Sequence, residues 1–166
     1  MTGSQEVVMM DRDRVARSLK RISYQIVEAN RTDRPLILAG LGDRGGVMAA
    51  QLAEILAELF QEDISTLTLP KDGSGAPDPE LFSGDPFPLV VDDVIFTGET
   101  MFKALNQLSN HMDMDEVHTV ALVDRGHRKF PVLAEFVGMN IPTKLREHVS
   151  VKIENGVISK VVLELH

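Results

Sequence analysis

Two adjacent carboxylates, Asp92 and Asp93, are followed within a few residues by a loop that contains threonine and glycine. The segment 88–105 begins with a short apolar run, continues through the two acids to Thr97 and Gly98, and then shows helical periodicity. Carboxylates at the end of a strand can accept hydrogen bonds from sugar hydroxyls, and the amides of such a loop at a helix N-terminus can bind phosphate. The segment therefore predicts a site for a phosphorylated sugar.

Two other interpretations of the adjacent acids are available. Response-regulator receiver domains carry adjacent acids after their first strand, whereas here the pair comes after residue 90, so the receiver interpretation is rejected. An ordinary strand, turn and helix with the two acids as solvated loop residues stays open.

Length and composition indicate the class of protein. The 166 residues are enough for a single domain, 1–166, with a core around a central sheet. The composition is that of a soluble globular protein, there is no cysteine, and neither a membrane span nor a signal-peptide pattern is visible, so we expect a cytoplasmic protein with no membrane partner. The net charge of −8 disfavours a protein whose main partner is nucleic acid.

Periodicity predicts the elements that must position the acids. Apolar runs predict strands at 35–41, 64–69, 88–91 and 117–123, and helical spacing predicts helices at 11–30, from the turn 42–46 to about residue 60, and at 99–110. Asp11 is the expected N-cap of the first helix. We therefore expect an α/β fold with a mostly parallel central sheet of about five strands flanked by helices.

Three further segments lie outside this alternation. Residues 1–10 are predicted to be a disordered or loosely attached start, and the proline-rich segment 70–87 a mobile loop or hood. Alternating residues on both sides of Asn155-Gly156 predict a short antiparallel hairpin at the C-terminus. We interpret this hairpin as an alternative end of the sheet and not as a functional element.

Three loops follow predicted strands and should open at one edge of a parallel sheet. The tight turn 42–46 offers an arginine and backbone amides for pyrophosphate, and the loop 92–100 contains the acids and the phosphate-binding pattern. The loop 124–128 offers charged side chains that could orient a base, a pyrophosphate or a metal-bound water. Together they indicate a site for a sugar that carries both a phosphate and a pyrophosphate.

The segment from residue 88 to Thr100 resembles the 5-phosphoribosyl-1-pyrophosphate (PRPP) motif of type I phosphoribosyltransferases. Residues 123–128, read as Val-Asp-Arg-Gly-His-Arg, and 136–143, with Gly-x-Asn-Ile-Pro-Thr at the end, narrow the resemblance. They are similar to the pyrimidine operon attenuation regulators that double as uracil phosphoribosyltransferases, over residues 11 to 153.

The resemblance implies a reaction and a set of roles. Ribose 5-phosphate would pass from PRPP to N1 of uracil, giving UMP and pyrophosphate. Mg2+ would be held mainly through PRPP, with Asp124 as a further candidate ligand, and a homo-oligomer such as a dimer is expected. A cis peptide bond is expected within 42–44. The implied site residues are Asp92, Asp93 and Arg44 for catalysis, Asp43, Gly45, Phe96, Thr97, Gly98, Glu99 and Thr100 for the phosphates and ribose of PRPP, and Asp124, Arg125, His127 and Arg128 on the side of the base and pyrophosphate.

The chain also departs from that family's pattern. Glu99 stands where arginine is usual, and the stretch 67–72 lacks the arginine expected over the reacting centre. On the family's RNA-binding surface, Tyr24, Leu133 and Met139 replace basic or polar residues, so RNA binding is disfavoured. Two alternatives to a transferase therefore stay open: a paralogue that senses PRPP or a nucleotide without efficient transfer and, third in order, an RNA-binding attenuator.

Overall fold

A parallel sheet with helices on both faces forms the centre of the protein. The structure, a computed structural model, describes residue 3 and residues 5–165. Within these residues the parallel sheet has five strands, in the order β3-β2-β4-β5-β6, and a second, antiparallel sheet has three, in the order β1-β8-β7. The strands are β1 (Gln5–Met10), β2 (Leu36–Leu41), β3 (Ser65–Leu69), β4 (Phe87–Ile95), β5 (His118–Asp124), β6 (Phe136–Asn140), β7 (His148–Glu154) and β8 (Val157–Leu165). The helices are α1 (Arg12–Ala29), α2 (Gly42–Phe60) and α3 (Glu99–His111), with a 3-10 turn at Pro79–Phe82. The predicted fold is confirmed.

The unbroken apolar runs form the strands that are covered on both faces. Every residue of β2 is buried, as expected for a central strand of a parallel sheet. Alternate residues of such a strand point to opposite faces. Leu36 and Leu38 therefore pack with α1 and α2, whereas Ile37 and Ala39 pack with α3 and with Phe82 of the segment 70–87.

Helix α1 begins where its N-cap predicts. The Asp11 carboxylate accepts a hydrogen bond from the Arg14 backbone N–H at 2.8 Å. The apolar stripe of the helix, which includes Leu19 and Ile22, is fully buried against the sheet. None of the helices in the described part of the chain is both long and apolar enough to cross a membrane.

The expectation of a loosely attached start is wrong for residues 5–10. These residues form β1, which pairs antiparallel with β8 from Gln5 opposite Leu165 to Met10 opposite Val161. Met10 is buried in the core, and the ladder pairs the backbone groups of β1 that face β8. Residues 1, 2 and 4, which the expectation also covered, lie outside the described residues.

The predicted C-terminal hairpin is present and belongs to a larger sheet. Asn155 and Gly156 both have positive φ angles, 53° and 77°, as a two-residue hairpin turn of the primed type requires. They connect β7 to β8, whose other edge carries β1.

The prediction of a tight turn at 42–46 is wrong, because α2 already begins at Gly42. The helix N-terminus packs directly on the sheet: a Cβ atom at Gly45 would lie 2.8 Å from the Val91 carbonyl oxygen. A glycine at this position permits the close approach. The helix therefore begins directly after β2, without a separate loop. The cis peptide bond expected within 42–44 is also absent, since all peptide bonds of the described residues are trans.

Candidate active site

The two adjacent acids lie inside β4 and not in the loop after it. Asp92 is 3% exposed and Asp93 is 6% exposed, and the Asp92 carboxylate accepts a hydrogen bond from the Asp93 backbone N–H at 2.9 Å. Because successive residues of a strand point to opposite faces, the two carboxylates face different spaces. Asp92 lines a cavity of about 230 Å³, and Asp93 lines another of about 220 Å³.

The first space, called the loop cavity here, lies over the start of α3. Its lining contains all five residues from Phe96 to Thr100, together with Asp92. The backbone N–H groups at a helix N-terminus favour an anion, so this cavity suits a phosphate group. Gly98 precedes the helix with a φ of 85°, and a Cβ atom there would lie 2.5 Å from a methyl group of Val132. Only glycine fits this position without strain.

The negative charge of Glu99 is paired with a lysine on the surface of α3. Its carboxylate lies 3.2 Å from the Lys103 ammonium one helical turn further on, and both side chains are about half exposed. The pairing directs the acid along the helix surface and compensates its charge. The cost of an acidic side chain beside a phosphate is thereby reduced.

The second space, called the cation cavity here, is lined by three basic side chains and one acid. Arg44 comes from the first turn of α2, Lys71 from the chain after β3, and Arg125 from the chain after β5, while Asp93 contributes the only carboxylate of the lining. The Arg44 Nε donates to the Val151 carbonyl oxygen at 3.0 Å, which fixes the position of its side chain. A cavity with this balance of charges suits a polyanion such as pyrophosphate.

The hairpin does not end the parallel sheet, as expected, but belongs to the separate antiparallel sheet. Residues 148–151 of its strand β7 line the cation cavity together with Asp93. β7 is an edge strand, paired with β8 alone, so one row of its backbone groups lies outside the ladder. The local sequence gave no sign of this role, because alternation predicts a strand but not what the strand covers.

Lys71 also lines the cation cavity, although it is not among the site residues predicted from the sequence. Its ammonium lies 3.9 Å from a carboxylate oxygen of Asp93. The sequence signal was its place two residues after the end of β3, at the same sheet edge as the other loops.

Burial shifts the pKa of two groups in the site. Burial raises the pKa of Asp92 well above its usual value and the neighbouring Asp93 carboxyl group raises it further, while Lys71 and the hydrogen bond from the Asp93 backbone N–H oppose the shift. Burial lowers the pKa of Arg125. The Arg125 guanidinium lies 4.0 Å above the centre of the Phe96 ring and donates to the Thr143 hydroxyl at 2.9 Å and to the Glu147 carbonyl oxygen at 2.5 Å.

Asp124 and Arg128 form an ion pair and line neither the loop cavity nor the cation cavity. Two guanidinium nitrogens of Arg128 lie 2.9 and 3.0 Å from the two carboxylate oxygens of Asp124. Arg128 also donates to the carbonyl oxygens of Phe96 at 2.9 Å and Val132 at 3.2 Å. We call these contacts the Arg128 brace, because they hold the segment after β5 against the loop at 96–98.

The remaining predicted residues lie near the site without lining either cavity. The His127 ring contacts the Thr143 carbonyl oxygen through Nε2. Asp43 is exposed in the first turn of α2, and Gly45 is buried against β4. Of the four residues predicted on the side of the base, only Arg125 reaches the cation cavity.

The protein alone offers few ligands for a metal ion. The described residues contain no group of three or more His, Cys, Asp or Glu side chains that could hold one. Both oxygens of Asp124 are occupied by Arg128, and one also accepts from the Gly126 N–H at 2.9 Å. This arrangement does not favour Asp124 as a ligand of Mg2+. The acids of β4 are the buried carboxylates that line the two cavities.

Comparisons with known proteins agree with this geometry. Residues 10–153 match the model of the phosphoribosyl transferase domain. The chain is 37% identical to the bifunctional protein PyrR 1 of Lactiplantibacillus plantarum over 88% of its own length and 89% of that protein, and 34% identical to the bifunctional protein PyrR of Haemophilus influenzae over 90% and 92%. Its fold is similar to that of the hypoxanthine phosphoribosyltransferase of Trypanosoma cruzi in complex with IMP, with a TM-score of 0.70, 17% identity and coverage of 86% of this chain and 79% of that one. The chain therefore belongs to the type I phosphoribosyltransferase family, in which it is similar to the PyrR proteins.

Proposed function

We propose that this protein binds PRPP and transfers its ribose 5-phosphate to N1 of uracil, giving UMP and pyrophosphate. One observation carries the proposal: adjacent acids of one strand line two different cavities, one suited to a phosphate and the other to a pyrophosphate. A ribose lying across Asp92 and Asp93 would have its 5′-phosphate on one side and its 1-pyrophosphate on the other. PRPP has this arrangement of groups.

The charges of the site match the charge changes of the reaction. Breaking the bond between C1′ and the pyrophosphate oxygen leaves the electron pair on pyrophosphate and positive charge on the sugar. Asp93 is placed to stabilise that positive charge, and Arg44 and Arg125 to stabilise the leaving group. N1 of the base then bonds to C1′, and its proton passes to solvent.

Uracil is the base that the motifs at 123–128 and 136–143 favour through their resemblance to the pyrimidine regulators. Beside the pyrophosphate, the cation cavity also suits a small planar base. Its β7 wall belongs to an edge strand, so it has backbone groups outside the β7–β8 ladder. Backbone amides and carbonyls can hydrogen-bond the alternating carbonyl and N–H groups of a pyrimidine edge.

Mg2+ fits this site as an ion that enters with PRPP. Mg2+ in phosphate-transfer sites is held by one or two carboxylates together with substrate oxygens, and Asp92 and Asp93 are the buried carboxylates that line the two cavities. When bound, it would neutralise part of the charge on the departing pyrophosphate.

The test is a calorimetric titration of the protein with PRPP and Mg2+, followed by uracil, with UMP measured by chromatography. Wild-type protein should bind PRPP and form UMP. The double variant Asp92→Asn/Asp93→Asn should lose PRPP binding and keep its circular dichroism spectrum. Asp113→Asn/Asp115→Asn, which removes two exposed acids outside both cavities, is the matched control and should behave as wild type. Unchanged PRPP affinity in the first variant would overturn the site assignment.

The second candidate function is a sensor that binds PRPP or a nucleotide without efficient transfer. The observation that favours it is Glu99, an acidic residue among those that line the loop cavity where the 5′-phosphate is expected. PRPP binding without formation of UMP in the same titration would support the sensor, and rapid formation of UMP would exclude it.

A further inference from the structure

Lys71 connects the acids of β4 to the cation cavity through a loose ion pair. Its ammonium lies 3.9 Å from Asp93, which is near the limit for an ion pair. The Lys71 side chain is 49% exposed, whereas that of Asp93 is 8% exposed. A lysine that keeps half of its contact with water in this way can exchange one anionic partner for another at little cost.

The Lys71 side chain passes close to the backbone at Gly42. A Cβ atom at Gly42 would lie 2.7 Å from the Lys71 Cε and 3.0 Å from its Cγ, and the φ of Gly42 is 65°. The side chain therefore crosses the first residue of α2 in direct contact with the backbone. This path brings the ammonium between the helix N-terminus and β4, where Arg44 also contributes to the lining.

The free protein and the PRPP complex make different demands on Asp93. In the free protein its buried carboxylate is adjacent to a second acid and needs a compensating cation. With PRPP bound, the same carboxylate must accept hydrogen bonds from ribose hydroxyls, and the pyrophosphate brings several negative charges into the cation cavity. The ammonium of Lys71 then has a stronger anionic partner than Asp93.

We propose that Lys71 exchanges partners when PRPP binds, from Asp93 in the free protein to the pyrophosphate group in the complex. The exchange releases Asp93 for the ribose hydroxyls and adds a cation to the leaving group. As the C1′–O bond breaks, the electron pair remains on pyrophosphate and Lys71 keeps its proton. This inference rests on the proposed function.

The test compares the variant Lys71→Met with wild type for three ligands: PRPP, pyrophosphate and ribose 5-phosphate, each titrated calorimetrically with Mg2+. Loss of a charge-assisted contact should weaken PRPP and pyrophosphate binding by about tenfold or more. Ribose 5-phosphate has no pyrophosphate group, so it should bind at least as tightly as to wild type. Lys71→Arg should restore pyrophosphate binding, and Lys20→Met, which removes an exposed charge from α1, should change none of the three affinities.

In Lys71→Met, weaker binding of PRPP and pyrophosphate without weaker binding of ribose 5-phosphate would distinguish partner exchange from a structural role of Lys71. It would also exclude a general effect of the lysine's positive charge on all anionic ligands. Equal weakening of all three ligands in Lys71→Met, or unchanged pyrophosphate binding, would overturn the inference. Wild-type protein that binds neither PRPP nor ribose 5-phosphate would overturn the proposed function and, with it, this inference. Wild-type protein that forms UMP while Lys71→Met matches it in rate and affinity would overturn the role of Lys71 alone.

Discussion

Asp92 and Asp93 are neighbours with similar exposure, but they line different cavities and differ in their charged partners. Asp93 has the Lys71 ammonium at 3.9 Å, whereas Asp92 has no ion-pair partner among the described residues. The pKa of Asp92 is therefore raised by burial and by the adjacent acid. Asp92 and Asp93 therefore offer the expected ribose two carboxyl groups in different electrostatic surroundings.

We predict that Asp92→Asn stabilises the protein at neutral pH. A group whose pKa is raised by folding favours the folded state below its unfolded pKa, and that contribution is lost as the pH rises through the folded pKa. The amide removes this dependence and can still accept the hydrogen bond from the Asp93 N–H. The free energy of unfolding from urea titrations should exceed that of wild type at pH 7 and equal it below about pH 4. The exposed-site variant Asp113→Asn should show no such trend, and an Asp92→Asn effect independent of pH would contradict the argument.

At the scale of elements, the site depends on how the segment after β5 holds the loop before α3. The Arg128 brace contacts the Phe96 carbonyl oxygen, and the backbone N–H groups of Lys129 and Phe130 donate to the Thr97 carbonyl oxygen at 2.8 and 3.0 Å. The loop cavity is thus shaped by residues about 30 positions further along the chain. Arg128 and Asp124 accordingly serve the site by positioning the loop.

We predict that Arg128→Met loosens the loop at 96–98 and raises the KM for PRPP more than it lowers kcat. Removing the guanidinium also leaves Asp124 without its cation, at a cost of about 2 kcal/mol in the free energy of unfolding. Arg128→Lys, which keeps the charge without the forked geometry, should have an intermediate KM. A double-mutant cycle with Asp124→Asn measures the coupling, and additive effects of the two substitutions would contradict the brace.

The loop before α3 also depends on Gly98. Alanine there would adopt an unfavourable positive φ and would contact Val132, so we predict that Gly98→Ala costs about 2–4 kcal/mol and weakens PRPP binding. Gly156 in the hairpin has a similar φ of 77° but no atom within 4 Å of its virtual Cβ. Gly156→Ala should cost only about 1 kcal/mol and leave PRPP binding unchanged. Equal costs in urea titrations of the two variants would show that the contact with Val132 is unimportant.

At the scale of the whole molecule, a strongly acidic protein carries one basic surface on α1. Arg14, Arg17 and Arg21 line a depression of about 290 Å³ next to Gly138. Arg21 donates to the carbonyl oxygens of Val137 and Gly138, so part of this basic surface holds β6. The positions at which the resembled regulators have basic or polar residues carry exposed Tyr24 and Leu133 and the half-buried Met139. Association into a dimer, which the resemblance also implies, stays a prediction for sedimentation analysis.

We predict that the protein binds pyrimidine leader RNA only weakly and mainly at low salt. The net charge of −8 opposes a polyanion, and each missing phosphate contact lowers the affinity and the salt dependence. The triple variant Tyr24→His/Leu133→Arg/Met139→Lys should tighten binding by at least an order of magnitude in a gel shift at physiological salt. Tight, sequence-selective binding by the wild type would contradict this prediction and favour the attenuator.

The sequence alone predicted most of the elements, the family and the two acids proposed for the centre of the site. Periodicity, the Asp11 cap and the Asn155-Gly156 turn are local signals, and they predicted the helices, most of the strands and the hairpin because they depend on residues close together in the chain. Only the tertiary structure decided the partners: β1 pairs with β8, β7 closes the cation cavity, Arg128 braces the loop before α3, and Lys71 reaches Asp93. These contacts join segments that are distant in sequence, such as Arg44 and Val151 at a separation of 107 residues. Local chemistry specifies what a residue can do, and long-range packing decides which group it meets.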